Sequence, residues 1–203
     1  MNNNILILDY KVGNVNSVIK AVKYLNYNPI LSNKIKDIQN CKKIILPGQG
    51  SFDYAMKNLG TKAKDELLNQ AKKGKPILGI CLGMQILASY GYENDKKTQG
   101  LDLIKGKVIK FKSKKIKLPH IGWSTVSQIK KDEIFLNIPQ KTDFYHCHSY
   151  IFKTSNNSDV LAQSNYGEKF ATIIKKENIL GVQFHPEKSL KFGIKLIENF
   201  LQN

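Results

Sequence analysis

Cys81 stands at the centre of Gly79-Ile80-Cys81-Leu82-Gly83, a run of the form Gly-x-nucleophile-x-Gly. That spacing suits a sharp turn from strand to helix: the flanking positions must be small, and the apical residue is pushed out at the carboxyl end of a sheet. A helix starting directly after the turn favours a thiolate through its unpaired N–H groups. Taken alone, the run reads equally well as a buried cysteine in a tight turn. A second constellation, Gln183-Phe184-His185-Pro186-Glu187, sets an imidazole and a carboxylate two residues apart. In an extended segment both project to the same side, and Pro186 favours that geometry. A carboxylate beside an imidazole fixes its tautomer and stabilises the imidazolium formed during proton transfer. A turn-mounted thiol, a base and an orienting carboxylate together describe thiol-based acyl transfer.

These groups need elements to hold them. Ile5–Asp9 is a compact apolar run ending in a polar turn, hence a buried strand. Asn14–Tyr27 carries Val15, Val18, Ile19, Val22 and Leu25 at helical spacing, with Asn14 suited to an N-cap. Ile44–Leu46 and Pro76–Ile80 read as strands, while Phe52–Leu59, Thr61–Lys73 and Leu82–Tyr90 read as helices. This alternation predicts an α/β fold with a mostly parallel central sheet flanked by helices. From about Leu101 short β-rich segments follow: Val108–Phe111, Gly122–Val126, Phe144–Ile151, Val160–Ser164, Phe170–Ile174 and Ile179–Phe184. Leu190–Leu201 returns to helical spacing, and the lysine-dense stretch 105–117 reads as a half-exposed hairpin. No internal repeat or linker-like stretch interrupts the sequence, so residues 1–203 are expected to form a single domain.

Composition narrows the partners. The formal charge of +16 fits polyanion binding, yet all 32 basic residues are Lys, and base reading leans on Arg. Solvated lysines on outer faces, and no nucleic-acid partner, are the expectation. No run approaches the roughly 18 apolar residues of a membrane span. The opening Met1-Asn2-Asn3-Asn4 lacks a basic leader, so a cytoplasmic protein is expected. Cys41, Cys81 and Cys147 show no metal-type spacing, and no metal or cofactor is expected.

The elbow Gly79–Gln85 with His185-Pro186-Glu187 resembles the class I, triad-type glutamine amidotransferases. Met84, Asp9-Tyr10, Gly13-Asn14, Leu46–Phe52, Pro119–Trp123, His148-Ser149-Tyr150 and Pro186–Ser189 narrow the resemblance to the glutaminase subunits of imidazole glycerol phosphate synthases. These segments span residues 5 to 189 in family order. The resemblance implies catalytic roles for Cys81, His185 and Glu187. It implies an oxyanion hole from the Leu82 N–H and one N–H of the Gly48-Gln49-Gly50 turn. It assigns glutamine contacts to Gly48, Gln85, Glu93, Ser149 and Tyr150, and a docking face to Tyr10, Asn14, Trp123 and Lys188. The implied partner is a (β/α)8-barrel cyclase that receives ammonia internally, with the Pro47–Gly50 turn as gate.

Lys11, Gln49, Ser124 and the Ala88–Tyr92 segment depart from the pattern, near the gate and docking face. They keep open a paralogous glutaminase that serves amidination of a bacterial surface sugar. A non-catalytic polyanion-binding α/β protein is the reading from another class.

Overall fold

The computed structural model describes residues 4–94, 96–113 and 116–203. Strand β1 (Asn4–Leu8) leads through helix α1 (Val15–Tyr24) to β2 (Asn28–Ser32), then through α2 (Ile35–Asn40) to β3 (Lys43–Leu46). Helices α3 (Phe52–Leu59) and α4 (Thr61–Lys72) precede β4 (Ile77–Ile80) and the single-turn α5 (Leu82–Gln85). Strands β5 (Tyr90–Glu93), β6 (Lys96–Gln99), β7 (Gly106–Lys110), β8 (His120–Gln128), β9 (Thr142–His148) and β10 (Tyr150–Thr154) follow. The chain ends with β11 (Val160–Asn165), β12 (Lys169–Lys176), β13 (Ile179–Val182) and α6 (Leu190–Gln202).

Among the described residues the large sheet has nine strands in the order β2-β1-β3-β4-β13-β12-β11-β8-β9. The first five are mutually parallel, and from β13 to β9 every pairing is antiparallel. Apart from the edge strand β2, the parallel half is buried on both faces, which explains its unbroken apolar runs. Ile5 and Ile7 of β1 pack with Ile45, Leu78, Ile80, α1 and α6. Leu6 and Leu8 pack on the opposite side with Ile44, Leu46, Ile77 and residues of α3 and α4. Successive side chains of a strand face opposite ways, so each run feeds both layers. A second sheet, β10-β7-β5-β6, covers part of that opposite layer.

The α/β architecture with a β-rich second half is as expected; four local expectations need correction. Leu82–Tyr90 is not one helix. It stops after Gln85 because the carbonyls of Ile86, Leu87 and Ala88 accept N–H groups of Leu101, Leu103 and Asp102 instead of continuing a helical ladder. Phe144–Ile151 is two strands in different sheets, broken at Ser149. Residues 105–117 are not a hairpin: Gly106–Lys110 pairs with β10 and with β5, while Lys114 and Lys115 lie outside the described residues. Strands β2, β5 and β6 and helix α2 fall where no such element was expected. β2 is an edge strand carrying Pro29 and half-exposed side chains, so its apolar signal is weak.

Candidate active site

The turn at Cys81 takes its form from the glycines around it. Cys81 leaves β4 with φ 52° and ψ −103°, a left-handed backbone that non-glycine residues adopt at a cost of roughly 1–3 kcal/mol. A Cβ on Gly79 would lie 2.5 Å from the Gly83 carbonyl oxygen, and one on Gly83 would lie 1.8 Å from that of Leu46. Only hydrogens fit, so the two glycines let strand, turn and helix close on one another. The sulfur lies 3.7 Å from the Cys147 carbonyl oxygen and 3.8 Å from Nε2 of the fully buried Gln183.

His185 and Glu187 follow β13, whose parallel pairing with β4 brings the two chain ends side by side. His185 Nδ1 donates to Glu187 Oε1 at 2.8 Å, and both side chains are fully buried. His185 Nε2 is buried without a hydrogen-bond partner among the described residues. Burial pulls this imidazole toward the neutral form. The negative charge of a Cys81 thiolate and the Glu187 carboxylate outweigh it and raise the pKa to about 10. Sulfur and imidazole are thus close enough for the charge on one to act on the other.

Asn14 does more at this site than its sequence suggests. It holds the N-cap position of α1 in a left-handed conformation and makes no side-chain cap bond. Its amide instead donates to Glu187 Oε1 and sits 3.4 Å from His185 Nδ1. The expected cap and docking side chain therefore points inward, toward the His–Glu pair. Tyr10 also departs from its expected place on the docking face. It is fully buried, and its hydroxyl donates to the Pro47 carbonyl, bracing the 47–50 turn from below. Trp123 is 49% exposed and meets Tyr145 edge to face, so its indole remains available at the surface. Lys188 is half-buried in the short turn after His185.

A cleft of about 240 Å³ opens on the sulfur, lined by Gln49, Gly50, Cys81, Leu82, Gln85, Glu93, Pro119, Cys147, His148, Ser149 and Tyr150. It brings together nearly all residues expected to meet the substrate; Gly48 is not among those that line it. Gln85 is buried, donating to the Tyr150 carbonyl at 3.1 Å and to Gln183 Oε1 at 3.3 Å. Glu93 Oε2 accepts the Phe52 N–H at 2.7 Å, which fixes a carboxylate at one end of the cleft. Gln183, which ties Gln85 to the sulfur, was missed as a site residue, although its place two residues before His185 could have marked it.

Two of the donors expected to form an oxyanion hole, those of Leu82 and Gln49, are engaged in this structure. The Leu82 N–H faces the Gly48 carbonyl at 3.4 Å, and the Gln49 N–H donates to the Gly13 carbonyl at 3.2 Å. Gly13 returns a bond to the Gln49 carbonyl at 3.1 Å, a two-bond bridge that holds the turn. Lys11 has φ 61°, a conformation glycine adopts freely, and its backbone N–H and ammonium both bond Asp9.

The other three histidines form a second buried group beside the cleft. His120, His146 and His148 sit on the paired strands β8 and β9. Burial lowers His120 to about 4 and His148 to about 3, the latter with added repulsion from His120. His146 is pushed well below the ordinary value, first by burial and then by its histidine neighbours. Ser124, the departure after Gly122-Trp123, lies 2.8 Å from His120 Nε2.

Among the described residues no helix is long and apolar enough to cross a membrane. The family pattern "Glutamine amidotransferase class-I" matches residues 6–203. The chain is 43% identical over 199 residues to "Imidazole glycerol phosphate synthase subunit HisH 1" of Campylobacter jejuni subsp. jejuni serotype O:23/36, covering 97% of this chain and 98% of that protein. It is 42% identical to the HisH subunit of Methanocaldococcus jannaschii, covering 97% of each chain. In fold it resembles the structure titled "Structure of PurLQS from Thermotoga maritima", with TM-score 0.78 and 21% identity over 100% of this chain and 99% of that one. A "glutamine amidotransferase" crystal structure matches with TM-score 0.76 and 18% identity, over 97% of each chain. With elbow, buried His–Glu pair and full-length similarity in agreement, this chain belongs to the class-I glutamine amidotransferase family.

Proposed function

We propose that this chain hydrolyses glutamine to glutamate and ammonia through Cys81, His185 and Glu187, and supplies the ammonia to a cyclase that makes imidazole glycerol phosphate in histidine biosynthesis. The observation that carries the reading is the His185–Glu187 pair, with a free imidazole nitrogen in electrostatic reach of a turn-mounted thiol. The Cys81 sulfur attacks the side-chain amide carbon of glutamine. His185 delivers the proton that lets nitrogen leave as ammonia, giving a glutamyl thioester. Water then attacks the thioester, giving up a proton to His185, and glutamate departs as the thiolate is restored. Glu187 holds the imidazole in the tautomer that presents Nε2, and stabilises its charged form.

Glutamine binding is assigned to the cleft. The Glu93 carboxylate suits the substrate ammonium, Gln85 suits its polar groups, and the Ser149–Tyr150 backbone forms a wall. Charge on the tetrahedral intermediate is assigned to the N–H groups of Leu82 and of the Gln49–Gly50 turn. Both Leu82 and Gln49 donors are occupied at rest, which supports a gating role for Pro47–Gly50. On this reading, partner binding breaks the Gly13–Gln49 bridge and turns the donors toward the substrate. Preorganised donors of this kind are worth about 10²–10³ in rate each, enough to separate an idle from an active glutaminase.

The cyclase partner is read as a (β/α)8 barrel that docks across Trp123, Lys188 and the Asn14 end of α1, with Tyr10 supporting the turn beneath. The reading places the protein in the cytoplasm, as one domain, without nucleic acid, membrane or cofactor.

The test is glutamate release by the purified chain, alone and with the histidine-pathway cyclase and its ribonucleotide substrate. Strong stimulation that vanishes with Cys81→Ala is expected. Cys81-dependent release without stimulation would keep the glutaminase and move the partner to a sugar-amidinating barrel. No Cys81-dependent release in a folded complex would overturn the proposal.

A further inference from the structure

The structure assigns a second site: we propose that His120, His146 and His148 form a three-histidine site for a divalent transition metal of the zinc class, beside the glutaminase cleft. This goes beyond the proposed hydrolysis and does not depend on it.

One ring nitrogen from each residue lies within 4.8 Å of the other two. His148 Nε2 is the hub, 3.3 Å from His120 Nδ1 and 3.2 Å from His146 Nδ1. Two imidazole nitrogens on one tetrahedral zinc, each about 2.05 Å from it, stand roughly 3.3 Å apart, which is the spacing found at the hub.

Proton bookkeeping favours a cation over a hydrogen-bonded trio. His148 Nδ1–H donates to the Tyr150 carbonyl at 2.9 Å, which leaves Nε2 with one lone pair. Two Nδ1 atoms face that single lone pair. One N–H can use it well; the other ring must aim a second N–H at an occupied acceptor, or a lone pair at a lone pair. A metal ion at the centre takes all three lone pairs and removes the conflict. The outer bonds that orient ligating imidazoles already exist: His148 Nδ1–H on Tyr150, and His120 Nε2 against the Ser124 hydroxyl at 2.8 Å. Among the described residues His146 Nε2 has no hydrogen-bond partner.

The surroundings suit a held ion. His120 stacks on Tyr166 at 3.9 Å, and Phe170 packs against all three rings. The His120 and His146 rings are nearly parallel, at 17°, so each must turn about its side-chain bonds to point at a shared centre. His148 lines the cleft, which gives the ion an entry path and leaves a fourth position for water or an anion. Three neutral nitrogens with an open position suit zinc, cobalt, nickel or copper better than magnesium or calcium. An ion there would pin the β9–β10 crossover that carries Cys147 and Tyr150, both walls of the cleft.

The test uses the full chain, treated with chelator and then freed of it, titrated with Co²⁺ and followed by visible absorption, with Zn²⁺ in competition. Cys81→Ala is run in parallel, so that a thiolate site cannot be mistaken for this one. Saturation at one ion per chain, retained in Cys81→Ala and weakened at least about 10-fold by His146→Phe in that background, is expected. The phenyl ring introduced by this substitution would sit among aromatic neighbours, and a melting curve checks the fold. Should that variant misfold, X-ray absorption on the unsubstituted chain decides: imidazole ligation supports the site, and sulfur or oxygen-only ligation overturns it. Absence of saturable binding, or binding that a folded His146→Phe leaves unchanged, also overturns it.

Discussion

His185 and the trio His120, His146 and His148 are all buried, and burial pushes every one of them toward the neutral form. They nevertheless end at opposite extremes. His185 rises to about 10 because Cys81 and Glu187 put negative charge against it. The trio falls, to about 4 for His120 and about 3 for His148, because burial dominates and the charged neighbours that act on His148 are other imidazoles. Burial alone therefore tells little about what a histidine does; the charge of its neighbours decides between a proton carrier and a set of free lone pairs. One elbow and one carboxylate separate the two fates in a single chain.

The largest expected break in this contrast comes from Cys81→Ala. It should lower glutamine hydrolysis by about 10⁴-fold or more, as loss of the nucleophile does in other triads. It should also bring His185 down from its raised pKa, because the first anion acting on it is gone; nitrogen-15 NMR of the imidazole reads this directly. Glu187→Gln comes next. It keeps the shape but removes the second charge, and should cost about 10⁴ in kcat, as loss of the orienting carboxylate does in other triads.

Stability against pH should show both fates with opposite signs. His120 and His148 bind protons in the unfolded chain near 6.5 but in the fold only near 4 and 3, and burial shifts His146 in the same direction. The unfolded state thus holds more protons between these values, and stability rises with pH there. The contribution is complete above about 6.5 and drains as pH falls, by up to about 1.4 kcal/mol per pH unit for each histidine. His185 behaves inversely: its contribution is whole below about 6.5 and is lost as pH rises through about 10. Chemical denaturation across pH in a chelated buffer checks the acid side, and Cys81→Ala should flatten the alkaline side. The smallest effect expected is from Ser124→Ala. It removes the hydroxyl partner of His120 Nε2 and should cost about 1 kcal/mol, with glutamine hydrolysis by the isolated chain unchanged.

The parts legible in the sequence were those where covalent spacing alone fixes geometry. Gly79 and Gly83 announce a turn with no room for a Cβ, and His185-Pro186-Glu187 places its two groups two residues apart whatever surrounds them. The buried parallel strands were legible because both faces are apolar. What escaped depends on partners distant in sequence. Helix α5 ends early because residues 101–103 capture its next carbonyls, which no local pattern encodes. β6 and β2 lie in exposed or edge positions with little apolar signal. Asn14 looked like a cap until Glu187, 173 residues away, claimed its amide. The trio escaped because His146 joins it through strand alternation and His120 only through the β8–β9 register, in which it pairs with His148.

The central claim is that Cys81 alone of the three cysteines is the nucleophile that glutamine meets. The direct measurement is mass-spectrometric mapping of the chain after reaction with a glutamine analogue carrying an electrophilic ketone in place of the side-chain amide. The account predicts one adduct per chain, on Cys81, prevented by excess glutamine and lost in Cys81→Ala. An adduct on Cys147 or Cys41 with Cys81 untouched, in a folded chain bound to its cyclase partner, would contradict it.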